Sequence, residues 1–137
     1  MDYWLKTLGG GARGAQLRDD WKQEADGLLV SAATFPRRPS VRKGDGIVYY
    51  GAGYGVVFAA GYATSIPFTA ESPSETKWPW RVKVALPWTE DFIHDGSPLE
   101  DLNVSGRDLA VSIKRRSHIR LTKDEFEAAV RALDGTP

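Results

Sequence analysis

From Trp80 to Leu86 apolar and polar residues alternate without a break. Trp80, Val82, Val84 and Leu86 fall on one face, Arg81 and Lys83 on the other. A period of two belongs to a strand with one buried face. The run Tyr3 to Leu8 predicts a first strand, closed by Gly9-Gly10-Gly11. Lys43-Gly44-Asp45-Gly46 predicts a turn into a strand over 47–50. Gly51-Ala52-Gly53-Tyr54-Gly55 then supplies a hairpin tip, and 56–62 returns; glycine makes such a reversal without strain. The short apolar run 27–32 reads as a buried strand, and 109–113 and 117–121 read as late strands. Helical spacing occurs twice. Leu17 and Trp21 lie four apart in a predicted helix over 16–25. Phe126, Ala129, Val130 and Leu133 make the buried stripe of a last helix, begun by the capping box Thr122 and Glu125 and ended by Gly135. Two prolines make 35–40 a loop, 69–77 is a polar loop, and 97–102 reads as one helical turn. Strands fill the middle and helices flank them. The pattern predicts a mainly β (α+β) class, with the sheet closed or nearly closed.

At 137 residues the chain has the size of one domain, spanning 1–137. Lys plus Arg and Asp plus Glu number 18 each, so the net charge is zero. That excludes a broad basic coat and leaves only a local patch for nucleic acid. With no cysteine there is no disulfide, thiolate metal site or cysteine nucleophile. The start MDYWLKTL lacks the form of a signal peptide, and no run reaches the ~20 apolar residues of a membrane span. The composition predicts a soluble cytoplasmic protein without a membrane partner.

The chemistry-bearing motifs are sparse. Gly51 to Gly55 holds the beginning of a dinucleotide fingerprint, but a strand follows where the pyrophosphate needs a helix N-terminus. The loop GGGARG at 9–14 lacks the Lys-Ser/Thr ending of a phosphate loop; it reads either as a plain flexible loop or as one lying over a ligand. His94 and His118 stand apart without metal-ligand spacing. Glu90, Asp91, Asp95, Glu100 and Asp101 read as a solvated face. No metal, no cofactor and no catalytic residue is predicted. The densest basic run is Lys114-Arg115-Arg116-Ser117-His118, with Arg120 beyond. Arginine grips phosphate with two parallel hydrogen bonds, so Arg115, Arg116, Ser117 and His118 are candidate phosphate contacts, joined by Arg13, Arg37, Arg38, Arg42 and Lys43 if loops converge. Tyr49 and Tyr50 are adjacent in one strand and point to opposite faces, so one of them lines the interior. Trp78 and Trp80 flank Pro79 where the alternating strand begins; a tryptophan at a barrel mouth can stack on a base.

The order of YWL at 3–5, VRKGDGIVYY at 41–50, a glycine-containing return strand, Trp78-x-Trp80-x-Val82-x-Val84 and RRSHIRLTKDEFEAAV at 115–130 resembles the EVE domain of the PUA-like superfamily, related to YTH and ASCH domains. The resemblance covers nearly the whole chain. It implies a small PUA-like β-barrel with flanking helices that recognises a modified, methylated base in DNA or RNA, flipped into an aromatic pocket. Carried across, the ligand-binding residues are Trp4, Lys6, Ser31, Thr34, Tyr50, Phe58 and Trp78, beside Arg116, Ser117 and His118. Where EVE domains carry a W-x-GVRN-like stretch, this chain reads ADGLLVSAAT.

The first reading is therefore a non-enzymatic binding module for a modified nucleobase. A second is an ASCH-like enzyme on nucleic acid or a nucleoside, using Lys6, Lys43 or Lys83. A third is a protein-interaction module, with Trp80 and Trp88 covering a partner protein or a homodimer interface.

Overall fold

The computed structural model describes residues 1–8 and 17–134. The triple glycine, Arg13 and Gly135 lie outside them. The strands are β1 (Tyr3–Leu8), β2 (Ala32–Phe35), β3 (Gly46–Gly51), β4 (Val56–Ala63), β5 (Phe68–Thr69), β6 (Trp80–Thr89), β7 (Ser97–Pro98) and β8 (His118–Leu121). The helices are α1 (Leu28–Ser31), α2 (Leu109–Ile113) and α3 (Lys123–Asp134), with short 3-10 turns between them.

The hairpin, the alternating strand and the last helix fall where their patterns put them. Thr122 and Glu125 form the capping box: the Thr122 N–H donates to Glu125 Oε1 at 2.7 Å and the Glu125 N–H to Thr122 Oγ1 at 3.1 Å. Three expectations are corrected. The run 27–32 is not a strand: Gly27, at φ 82°, leads into the single helical turn α1, and extended backbone begins only at Ala32. The run 109–113 is helix α2, because the Asp108 side chain accepts from the Ala110 N–H and caps it. The predicted helix over 16–25 is a 3-10 segment, Trp21–Gly27. Trp21 is nevertheless fully buried and Leu17 packs on the same core, as their spacing implied.

The sheet runs β2-β6-β4-β3-β1-β8, with β5 beside β6 and β7 beside β4. β1 and β3 are parallel and the other pairs antiparallel. The sheet curls into a half-barrel. Its inner face carries Trp4, Leu8, Phe35, Ile47, Tyr49, Phe58, Val82 and Val84, over which Trp21 and Leu29 close. Its outer face carries Leu5, Val48, Val57 and Ile119 and is covered by α2 and α3 through Leu109, Ile113, Phe126, Ala129 and Leu133. Strand alternation thus sorts one sheet into two apolar layers. The β4–β6 crossing needs a glycine: a Cβ on Gly61 would stand 1.9 Å from the Ala85 carbonyl oxygen.

Among the described residues no helix is long and apolar enough to cross a membrane, and no group of three or more His, Asp or Glu is placed to hold a metal.

Candidate ligand site

The curl brings the two ends of the strand order face to face. β1 and β8 pair with Lys6 opposite His118. On the inner face of that pair stand Trp4, Lys6 and His118. Phe35, the last residue of β2, reaches them from the other end of the sheet.

The resulting cluster is continuous. The His118 ring lies 5.5 Å from Trp4 and 5.0 Å from Phe35, centroid to centroid. Lys6 Nζ lies 5.0 Å from the centroids of both Phe35 and Trp78. Trp78, on the loop before β6, is the exposed tryptophan of the five, at 38%. Lys6 is 1% exposed. Its Nζ donates to the Thr7 carbonyl at 2.9 Å, and among the described residues no carboxylate pairs with it. Burial pulls its pKa down to about 7. Burial, and then the charge of Lys6, pulls His118 down to about 4, so its imidazole is neutral at pH 7. The Ser117 hydroxyl sits 2.5 Å from His118 Nδ1, and the Ser117 carbonyl accepts from the Thr7 N–H at 2.9 Å.

Trp4 is fixed from behind. Its Nε1–H donates to Asp45 Oδ2 at 2.9 Å, and the same buried carboxylate accepts the N–H groups of Asp2 and Arg42. The Arg120 guanidinium lies 5.2 Å over the Trp4 ring. Beside this cluster runs a groove of about 520 Å³, lined by Trp4, Arg107, Ser112, Arg116, His118, Ile119 and Arg120. Three arginines and no carboxylate line it. Arg107 is held by two hydrogen bonds to buried Glu125 and one to the Arg120 carbonyl. Arg116 is exposed on the turn between α2 and β8, beside Arg115, the non-glycine residue held at positive φ (62°) among the described ones.

Solved structures share this architecture. Human THYN1 protein, solved in complex with 5-methylcytosine-containing DNA, matches with a TM-score of 0.62 at 12% identity, covering 100% of both chains. Rpa0253 from Rhodopseudomonas palustris matches with a TM-score of 0.61 at 15% identity, over 100% of this chain and 96% of that one. A hypothetical protein from Leishmania major gives 0.59 at 15%, over 98% and 96%. The chain has the fold of these proteins. No family model and no curated protein matches it. The fold class is thereby a small α+β half-barrel with flanking helices, the architecture these solved structures share.

The predicted site residues separate into two groups. Trp4, Lys6, Trp78, Ser117 and His118 come together, with Arg116 on the adjoining groove and exposed Arg115 beside it in sequence. Thr34 precedes Phe35 and pairs with Arg81 on β6. Ser31 is exposed, its hydroxyl spent on the Leu28 carbonyl at 3.1 Å. Tyr50 is corrected to the outer face, where it packs among the α2 and α3 contacts; Tyr49 is the interior tyrosine, donating to the Leu29 carbonyl at 2.8 Å. Phe58 is corrected to the closed core, fully buried against Trp21 and Tyr49. Lys43 and Lys83 are exposed, which leaves Lys6 as the buried lysine of the three. Trp80 packs on the inner layer and Trp88 on the outer one, so they form no shared patch. Phe35 and Asp45 were missed. Pro36 and Pro39 make Phe35 read as part of a loop, and Asp45, between Gly44 and Gly46, reads as a turn residue.

Proposed function

We propose that the protein is an EVE-type nucleic-acid reader that takes a flat, modified base, such as a methylated base in DNA or RNA, against the Phe35–Lys6–Trp78 cluster, with phosphates along the arginine groove. The observation that carries the reading is the juxtaposition of an exposed tryptophan and a buried cationic aromatic cluster with a groove of three arginines and no carboxylate. Arg107 in this groove is paired with Glu125 and Arg120 with Asp2, so among the described residues Arg116 is the groove arginine without an ion pair, a local charge rather than a general coat in a chain of zero net charge. Base stacking on an aromatic side chain contributes about 1–3 kcal/mol, and phosphate contacts add affinity that salt weakens. The THYN1 structure with 5-methylcytosine-containing DNA supports the same use of the fold. Its role here needs no metal, cofactor or bond-making step. The lysine-enzyme alternative rests on Lys6 alone.

Tryptophan fluorescence tests it. Short oligonucleotides carrying methylated or unmodified cytosine and adenine are titrated at two salt concentrations. Selective quenching by one base, lost in Trp78→Ala and weakened in Arg116→Ala, is expected. Quenching that is equal for all bases and disappears with salt would mean backbone attraction only.

A further inference from the structure

Lys6 is buried without a counter-charge. Lysine is almost never fully buried unless paired, because an ammonium that leaves water loses hydration that only a partner can replace. Here Nζ has one hydrogen bond, to the Thr7 carbonyl. An ammonium carries three N–H donors and no acceptor, so two donors remain unused. The rings of Phe35 and Trp78 attract the charge but accept no conventional hydrogen bond. The neighbouring strands supply no anion. Tyr49, opposite Lys6 on β3, is kept in its phenol form by burial. His118, opposite it on β8, is a neutral imidazole.

We propose that Lys6 is the specificity-determining donor of this site, selecting a flat ring that presents a carbonyl oxygen over one whose edge offers only amino groups and ring nitrogens. The proposal rests on the base-binding reading above and names the class of base. A carbonyl oxygen offers an ammonium two lone pairs, whereas each adenine ring nitrogen offers one, and at N1 and N7 the neighbouring exocyclic amino group opposes the ammonium, donor to donor. Cytosine, thymine, uracil and guanine carry a ring carbonyl; adenine carries none. Methylation at carbon 5 of a pyrimidine leaves the carbonyl in place. Stacking alone gives no such order, since every base has a π-face.

The test uses single-stranded oligonucleotides identical except for one central base: 5-methylcytosine, thymine, hypoxanthine or adenine. Hypoxanthine and adenine differ at carbon 6 by an oxygen in place of an amino group. Fluorescence titration at pH 6.5 and fixed salt is expected to give the best carbonyl base at least about tenfold tighter binding than adenine, the worth of one hydrogen bond to a charged group. Lys6→Met fills the same volume without a donor and is expected to bring that preference below about twofold while quenching persists; Lys6→Arg, which keeps donors, retains part of it. Adenine bound as tightly as the best carbonyl base would overturn the proposal, as would an undiminished preference in a folded Lys6→Met protein. Both of those leave base binding itself standing. No quenching by any of the four oligonucleotides overturns the proposal and the base-binding reading together.

Discussion

Phe35 on β2 and His118 on β8 meet edge to face, ring centroids 5.0 Å apart and planes at 85°, although their strands stand at opposite ends of the strand order. The half-barrel is thus joined at its open side by side chains rather than by a ladder of backbone hydrogen bonds. Phe35→Ala is expected to destabilise the protein by about 3–5 kcal/mol, the range for emptying a buried aromatic site. It should also speed amide exchange in β2 and β8 before that in β3 and β4. Urea unfolding and hydrogen exchange measure both. A loss below about 1 kcal/mol with unchanged exchange at the seam would show that the strands close without this contact.

Lys6 sets a pH dependence whose sign follows from its burial. Its ordinary pKa is 10.5 and its folded value about 7. Between those values the unfolded chain binds a proton that the folded chain lacks, so stability rises with pH, by up to about 1.4 kcal/mol per pH unit. Below about pH 7 the penalty of burying the charge is fully present. Lys6→Met removes it and should be more stable than the parent at pH 6, by more than at pH 9.5. Urea unfolding at pH 6, 8 and 9.5 checks this; parallel curves for the two proteins would refute it. A stabilising substitution at the proposed ligand site is the expected trade between function and stability.

How much was legible in the sequence depended on the range of the interaction that decides each element. Local signals were sufficient for the hairpin through Gly51–Gly55, for the period of two in β6 and for the Thr122–Glu125 box. They fail at Leu109–Ile113, because a run of five residues has no readable period and an aspartate such as Asp108 suits a turn as well as a helix cap. Half of the candidate cluster is legible as residue types. The basic run at 114–118 and the aromatics Trp4 and Trp78 are visible as composition. The partners that complete it come from elsewhere in the chain: Phe35 across the sheet opening, and Asp45 on a turn that reaches back to Trp4. Tyr49 and Tyr50 show the limit most plainly. Alternation says that they face apart, and only the curl of the sheet says which of them faces in.

Asp45 ties three donors to one carboxylate, from the backbone of Asp2 and Arg42 and from the Trp4 indole. A buried donor left without a partner costs about 1–3 kcal/mol. Asp45→Ala is therefore expected to lose at least about 2 kcal/mol of stability and to free the Trp4 ring, seen as a shift of its indole N–H resonance. Neutral behaviour in both measurements would mean that water replaces the carboxylate at no penalty.

Arg107 and Arg116 line one groove but should respond oppositely to alanine. The Arg107 guanidinium pairs with Glu125 at 3.0 and 2.8 Å, and the Glu125 side chain is 0% exposed. Burial pushes the Glu125 carboxyl up, but the hydrogen bonds from Arg107 and Thr122 outweigh it and hold the group below its ordinary range. A lowered carboxyl pKa contributes stability that is present above the unfolded value and lost as pH falls through the folded one. Arg107→Ala strands that carboxylate and should destabilise by about 3–5 kcal/mol at pH 7. The difference from the parent should narrow as the pH falls into the acid range, where the stranded Glu125 can protonate. Arg116→Ala touches no such partner and should change stability by less than about 0.5 kcal/mol. Its effect belongs to binding: the slope of log affinity against log salt for an oligonucleotide should fall by about 1. If Arg116→Ala left that slope unchanged while Arg107→Ala unfolded as described, the groove would be a structural seam and phosphates would have to run elsewhere.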